Sequence, residues 1–277
     1  MKRFFKIFLT SLGLLFMGNC VYLYQAQDNI IFQYRPLSKD YEFESAEIFE
    51  ERFYNVDAGI HLNALYFPAK TDEKQGVVIC YHGRGTNLSK NWGKTARIYT
   101  ERGFDFIIYD YRGFGKSNGS IDVANLYSDP LKMYDIIKPE YANKKIIVLG
   151  RSLGTSLATY VASHRQADML ILEAPFYSML DMACLTKPYI PKIVIETILK
   201  YPMKTNQFIK KVDCPVLIFH GTKDSIVPYC ESVRLFDLIK HRPQNQFVAL
   251  EGADHGNFMQ NSLYESKIDS FIKDHQD

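Results

Sequence analysis

Gly150-Arg151-Ser152-Leu153-Gly154 constrains this chain more than any other stretch. It follows the apolar, β-branched run Ile146-Ile147-Val148-Leu149 and precedes a helix-compatible run from Thr155 to Ser163. A strand, a tight Gly-x-Ser-x-Gly turn and a helix together hold a serine out of its backbone as a nucleophile. The chain must reverse within a few residues and the helix must pack close to the strand. Gly150 and Gly154 are therefore read as positions with no room for a side chain. A serine hydroxyl alone is a weak nucleophile, so Ser152 needs a base, an acid and oxyanion donors from elsewhere in the chain.

His255 is the candidate base. It lies in Gly252-Ala253-Asp254-His255-Gly256, a loop between the last strand pattern and the last helix pattern, at the sheet edge that carries the serine turn. Imidazole titrates near neutrality and can accept and return a proton within one turnover. Asp224, in Gly221-Thr222-Lys223-Asp224 just after a strand ending Phe219-His220, is the candidate acid. A carboxylate there can hold the imidazole in one tautomer and stabilise its charged form. Glu173, at the end of the preceding strand, is an alternative acid but reads better as a structural or pocket-lining residue. Asp254 adjoins the base and reads as a turn residue. Oxyanion donors are expected from two backbone N–H groups: Leu153, directly after the serine, and Arg84, in the loop His82-Gly83-Arg84-Gly85. The Arg84 guanidinium itself reads as solvated. His82 and His220 each precede a glycine at a strand end and read as structural histidines.

Serine, aspartate and histidine occur in the order expected for an α/β-hydrolase. The remaining patterns give a consistent architecture. Glu44–Val56 and Ile60–Phe67 read as a hairpin across the turn Asp57-Ala58-Gly59. Gly76–Tyr81, Phe104–Tyr109, Lys145–Leu149, Leu170–Leu172, Pro215–His220 and Gln246–Leu250 read as strands, several of them continuous apolar runs suited to burial on both faces. Helical stretches fall between them at Asn91–Arg102, Val123–Lys138 (its start delayed by Pro130), Cys230–Lys240 and Met259–Lys273. This alternation predicts an α/β fold with a mostly parallel, doubly wound sheet and an N-terminal antiparallel hairpin. Residues 175–211 interrupt the rhythm with Pro188, Pro191 and Pro202 and an amphipathic run, Ile193–Tyr201. They are read as a small helical cap over the carboxyl edge of the sheet, where ligands bind in such folds.

The N-terminus is of a different kind. Lys2, Arg3 and Lys6 precede Ile7–Gln27, which contains no charged residue. That length is close to the ~20 residues that span a bilayer as a helix, and Tyr22 and Tyr24 sit where an interfacial aromatic belt would lie. Residues 1–27 are read as a membrane anchor or signal segment, 28–41 as a connector and 42–277 as the α/β domain. The basic flank predicts a body on the extracytoplasmic side. Secretion after cleavage, or a lipoprotein through Met17-Gly18-Asn19-Cys20, are the alternatives.

Basic and acidic residues nearly cancel, 33 against 31, which offers no reason to expect a nucleic-acid partner. Five scattered cysteines without a Cys-x-x-Cys pair suit neither a zinc site nor a disulfide framework. No His/Glu cluster has metal-ligand spacing, so no metal or other cofactor is expected. Asp110–Ser117 is rich in glycine but lacks the spacing of a phosphate-binding loop and reads as a structural turn.

Taken together, His82-Gly83, Tyr109-Asp110-Tyr111-Arg112-Gly113-Phe114-Gly115-Lys116-Ser117, Gly150–Gly154, Pro215–Asp224 and Asp254-His255 resemble the α/β-hydrolase superfamily, most nearly its serine-aminopeptidase-type (Hydrolase_4-like) group. The resemblance covers about residues 40 to 277. It implies a Ser–His–Asp hydrolase with Ser152, Asp224 and His255 in those roles, and members of the group often carry an N-terminal membrane segment. Relatives commonly have a small or amide residue where Arg84 stands. The resulting expectation is a serine hydrolase that cleaves an ester or thioester of a small or lipid-like acyl group. The alternatives are a non-catalytic ligand- or partner-binding relative, or an acyltransferase or peptidase of the same fold.

Overall fold

The computed structural model describes residues 2–275. Helix α1 spans Lys2–Phe32. The hairpin follows as β1 (Glu50–Asp57) and β2 (Ile60–Phe67), then β3 (Gly76–Tyr81), α2 (Gly93–Thr100), β4 (Phe104–Tyr109), α3 (Val123–Ile137), β5 (Lys145–Arg151), α4 (Leu153–Ala162) and β6 (Met169–Glu173). Helices α5 (Met179–Thr186), α6 (Lys192–Ile198) and α7 (Thr205–Phe208) form the expected insertion before β7 (Val216–Gly221), α8 (Tyr229–Asp237), β8 (Gln246–Leu250) and α9 (Ser262–Asp274).

Among the described residues the eight strands form one sheet in the order β1-β2-β4-β3-β5-β6-β7-β8. β2 runs antiparallel to both β1 and β4, and every other pairing is parallel. The α/β class, the hairpin and the parallel body therefore match the sequence reading. β3, β4 and β6 are buried along their whole length, because helices cover both faces of the parallel part and leave no polar side.

Of the boundaries that differ from the sequence reading, those of β1, α3 and α9 have identifiable local reasons. β1 starts at Glu50 rather than Glu44, because β2 ends at Phe67 and the register, Glu50 opposite Tyr66, leaves no β2 residue for anything before Phe49 to pair with. α3 starts at Val123 despite Pro130. Asp122 accepts the Asn125 N–H while the Asn125 side chain accepts the Asp122 N–H, so a reciprocal cap secures the first turn. Burial of Leu126, Met133, Tyr134 and Ile137 outweighs the hydrogen bond that proline forfeits. α9 begins at Ser262, where Asn261 accepts the Leu263 N–H, and residues 258–260 form a separate 3-10 turn.

The largest difference lies at the N-terminus. α1 does not stop at Gln27 but continues through Phe32, into the stretch read as connector. Its first half is exposed: Phe4, Phe5, Ile7, Phe8, Leu12, Leu14, Leu15, Phe16 and Met17 all face outward. By length and composition the helix could cross a membrane. Its last turns instead pack on the body, with Gln27, Ile31 and Phe32 buried and the Phe32 ring edge-on to Tyr201 at 4.9 Å. Residues 33–41 are also seated, since Gly115 N–H donates to Arg35 O and Leu37 N–H to Gly115 O.

Candidate functional site

Ser152 occupies the turn between β5 and α4 with φ 52° and ψ −119°. A non-glycine residue there carries backbone strain of about 1–3 kcal/mol. The strain is held by fixed partners: Ser152 N–H donates to Glu173 O at 2.8 Å, and the Thr155 N–H and hydroxyl both donate to Ser152 O. Both glycines are required by contact. A Cβ on Gly150 would lie 2.6 Å from Thr155 Cα, and one on Gly154 would lie 2.0 Å from Tyr81 O. The helix therefore starts directly against the ends of β3 and β5, and the serine side chain stands clear above the sheet.

The loops after β7 and β8 reach the same edge. His255 Nε2 lies 3.0 Å from Ser152 Oγ, and His255 Nδ1 lies 2.7 Å from Asp224 Oδ2. With the proton on Nδ1 donated to the carboxylate, Nε2 is left as the acceptor for the serine hydroxyl. Asp224 is fully engaged: its Oδ1 accepts from the N–H groups of Ile226 and Val227, both at 2.8 Å, and His220 Nε2 lies 3.3 Å from Oδ2. Burial alone would raise this carboxyl. The contacts with His220 and His255 and the Val227 N–H outweigh it and hold the group well below the usual carboxylate range.

The other sequence candidates separate clearly. Glu173 turns away from the histidine; it accepts from the Tyr264 hydroxyl and lies 3.7 Å from the Arg151 guanidinium. Asp254 braces the two loops by accepting from Ser225 N–H and from His255 N–H. His220 Nε2 lies 2.9 Å from Val227 O and 3.3 Å from Asp224 Oδ2, so its N–H donates to these acceptors. His82 is buried against Tyr111, with ring centroids 4.2 Å apart. The glycine-rich loop after β4 is a structural brace, with Arg112 bidentate on Asp129 and Ser117 bridging Asp110 O and Asn63 N–H.

The backbone N–H groups of Arg84 and Leu153 donate to no protein acceptor among the described residues. Both residues line the cavity that contains Ser152. The Arg84 side chain is exposed at its edge. This cavity, of about 220 Å³, is mostly apolar: Phe176, Met179, Met182, Ile190, Ile195 and Ile198 come from the insertion, with Thr186 and Lys187, and Ile226 and Val227 from the loop after β7. Its remaining wall is α1, through Leu23, Gln27, Ile30 and Ile31.

Three features escaped the sequence reading. Arg151, beside the serine, donates to His255 O at 3.4 Å and so braces the histidine loop. Ile226 and Val227 supply the N–H donors that fix Asp224; a carboxylate followed closely by two apolar residues carries no pattern that announces this. The α1 wall had a faint signal, because Ile30-Ile31-Phe32 is too apolar for a free connector and Gln27 is the polar residue that closes the uncharged run.

Comparison with known proteins agrees with this architecture. The family model described as serine aminopeptidase S33 (Hydrolase_4) matches residues 72–207, and a shorter match to BD-FAE covers residues 196–239. Lysophosphatidylserine lipase ABHD12 of Danio rerio is 28% identical over 67% of this chain and 54% of its own length. The chain thus spans about half of that relative. The uncharacterised protein YfhR of Salmonella typhimurium is 28% identical over 83% of this chain and 82% of its own. Among solved structures, the esterase Pf2001 of Pyrococcus furiosus superposes with a TM-score of 0.69 at 16% identity, covering 89% of this chain and 99% of that one. Est1E of Butyrivibrio proteoclasticus, solved with ferulic acid, gives a TM-score of 0.66 at 21% identity over 81% and 98%. Sheet order, the strained serine turn and these matches lead to one conclusion: the chain belongs to the α/β-hydrolase superfamily, and its residues 72–207 match the serine aminopeptidase S33 (Hydrolase_4) family.

Proposed function

We propose that this protein is a membrane-anchored serine hydrolase that cleaves a carboxylic ester or thioester of a lipid-like acyl group. The observation that carries the reading is the continuous hydrogen-bonded line Ser152 Oγ–His255 Nε2, His255 Nδ1–Asp224 Oδ2 at the floor of an apolar cavity. Ser152 Oγ attacks the acyl carbon while His255 takes its proton, and the ionised Asp224 stabilises the imidazolium. The negative charge on the carbonyl oxygen falls to the N–H groups of Leu153 and Arg84; a single oxyanion donor of this kind contributes about 3–4 kcal/mol. The bond to the leaving alcohol or thiol then breaks, His255 gives it the proton, and an acyl-enzyme remains. Water adds to the acyl carbon with His255 again as base, the Ser152 ester bond breaks, and the proton returns to serine. Alcohol and thiol leaving groups depart more easily than amines, which favours esters and thioesters over amides. A relative named as a lipase and a structural neighbour named as an esterase support the same class.

α1 serves as the anchor in this reading. Lys2, Arg3 and Lys6 keep its start cytoplasmic and place the body, with its cap at about residues 175–211, on the extracytoplasmic face. The decisive experiment compares wild type with Ser152→Ala on a short-chain p-nitrophenyl ester, together with fluorophosphonate labelling. Turnover and labelling should both vanish in the variant; equal turnover by the two proteins would overturn the assignment.

A further inference from the structure

An anchor needs only to hold a protein at a membrane, yet the end of α1 is built into the site. Leu23, Gln27, Ile30 and Ile31 face the same cavity as Ser152. The joint that holds them is specific. The Gln27 side-chain amide is buried and satisfied in both directions, donating to Ile198 O at 2.7 Å and accepting from Lys200 N–H at 2.7 Å. Lys200 Nζ also grips Asp28 at 2.9 Å. Beyond them, Phe32 O accepts the Gly85 N–H at 2.9 Å, which ties the helix end to the loop that presents the Arg84 N–H. Without α1, the Ile198 carbonyl and Lys200 N–H would lose their partner and one side of the cavity would be open.

The same helix leads away into lipid. Its 31 residues extend about 46 Å at ~1.5 Å per residue, well beyond the ~30 Å hydrocarbon core of a bilayer. About twenty residues therefore suffice to span it, and the last turns are left over to seat the body close to the membrane surface. The cap carries matching features: Leu185, Tyr189 and Ile193 are exposed on α5, α6 and the turn between them, interleaved with Lys187 and Lys192. Apolar and aromatic side chains alternating with lysines suit the headgroup boundary of a bilayer.

We propose that α1 is a permanent wall of the acyl pocket, and that the pocket takes a single acyl chain from the membrane in which α1 is seated. This rests on the serine-hydrolase reading above. Chain-length selectivity is then set jointly by the cap and by Leu23 and Ile30 of the anchor. Each methylene admitted to or refused by the pocket changes kcat/KM by about fourfold.

The test uses the full-length protein in phosphatidylcholine nanodiscs with 4-methylumbelliferyl butyrate, octanoate and palmitate. Leu23→Trp and Ile30→Trp should lower the palmitate-to-butyrate ratio of kcat/KM at least tenfold. Leu23→Ala and Ile30→Ala should move the preferred chain length upward, so opposite shifts exclude a simple loss of fold. An unchanged chain-length profile in all four variants, with Ser152→Ala inactive on every ester, overturns the wall and leaves the hydrolase standing. Turnover retained by Ser152→Ala overturns the hydrolase reading itself. Intact-mass measurement of the protein extracted from its membrane should return a chain that includes Leu23 to Phe32; a mature chain beginning after Gln27 overturns the proposal.

Discussion

Two histidine–aspartate pairs lie at the carboxyl edge of this sheet, and they are electrostatic opposites. In one, His82 and Asp110 are sealed from solvent, with 3.3 Å between His82 Nε2 and Asp110 Oδ1 but no hydrogen-bond geometry. Burial dominates there and raises the Asp110 carboxyl, although His82 and the Leu88 N–H pull the other way. In the other, His255 and Asp224 meet at 2.7 Å, and the histidine side chain keeps 21% of its surface exposed. Burial again opposes the charge on Asp224, but two imidazoles and the loop N–H groups overcome it. The same two residue types therefore give a carboxyl pushed toward neutrality in one place and a firmly ionised one in the other. What differs is the number of donors the neighbouring loop turns inward and whether the imidazole keeps exposed surface. Only the second pair also touches a hydroxyl on a strained turn.

Breaking the working pair should have the largest effect. Asp224→Asn leaves shape nearly unchanged but disfavours the histidine tautomer that accepts from Ser152, so kcat on a p-nitrophenyl ester should fall by roughly 10³–10⁴-fold with KM little altered. His220→Gln removes one of the two imidazoles beside Asp224; losing about 1–1.5 kcal/mol of hydrogen bonding should cost about tenfold in kcat/KM. Asp110→Asn makes the reciprocal test. Neither its carboxyl nor His82 lines the cavity beside Ser152, so kcat/KM measured beside wild type should change by less than about threefold. A loss as large as that of Asp224→Asn would show that the two pairs do not differ in role.

The smallest effect is one of stability, and its sign distinguishes the pairs. A carboxyl lowered in the folded state, as in Asp224, adds stability that is present above its unfolded pKa and is lost as pH falls through the folded one. A raised carboxyl, as in Asp110, does the reverse: the folded state takes up its proton first, and its contribution improves as pH falls. Melting temperatures of wild type, Asp224→Asn and Asp110→Asn should therefore be followed from pH 7 downward. The deficit of Asp224→Asn should shrink on acidification. Asp110→Asn should compare best with wild type at neutral pH and lose that standing in acid. For a body of this size, each kcal/mol amounts to about 2–4 °C. Parallel curves for the two variants would remove the electrostatic contrast.

Much of this was legible in the residues. Gly150 and Gly154 announce a turn without room for side chains, and the contacts at Tyr81 O and Thr155 Cα are the reason. The strand runs are continuous apolar segments because both faces are covered, which is why their ends were read nearly to the residue. The misread boundaries depend on partners distant in sequence or on local caps: where β2 stops, how Asp122 and Asn125 cap each other, and where Asn261 sits. The end of α1 was the hardest to read. An uncharged run looks the same whether lipid or protein covers its last turns.

By itself, then, the sequence determined the class of fold, the order of its strands and helices along the chain, and which serine, histidine and aspartate could meet at one sheet edge. Periodicity and glycine placement act locally, so they survive in a linear string. The tertiary structure alone decided that Asp224 rather than Glu173 lies against the imidazole, that Asp110 and Asp224 are shifted in opposite directions, and that the end of α1 walls the cavity beside Ser152. Each of these depends on distances between residues far apart in the chain, and in the last case on a helix whose ends meet different surroundings.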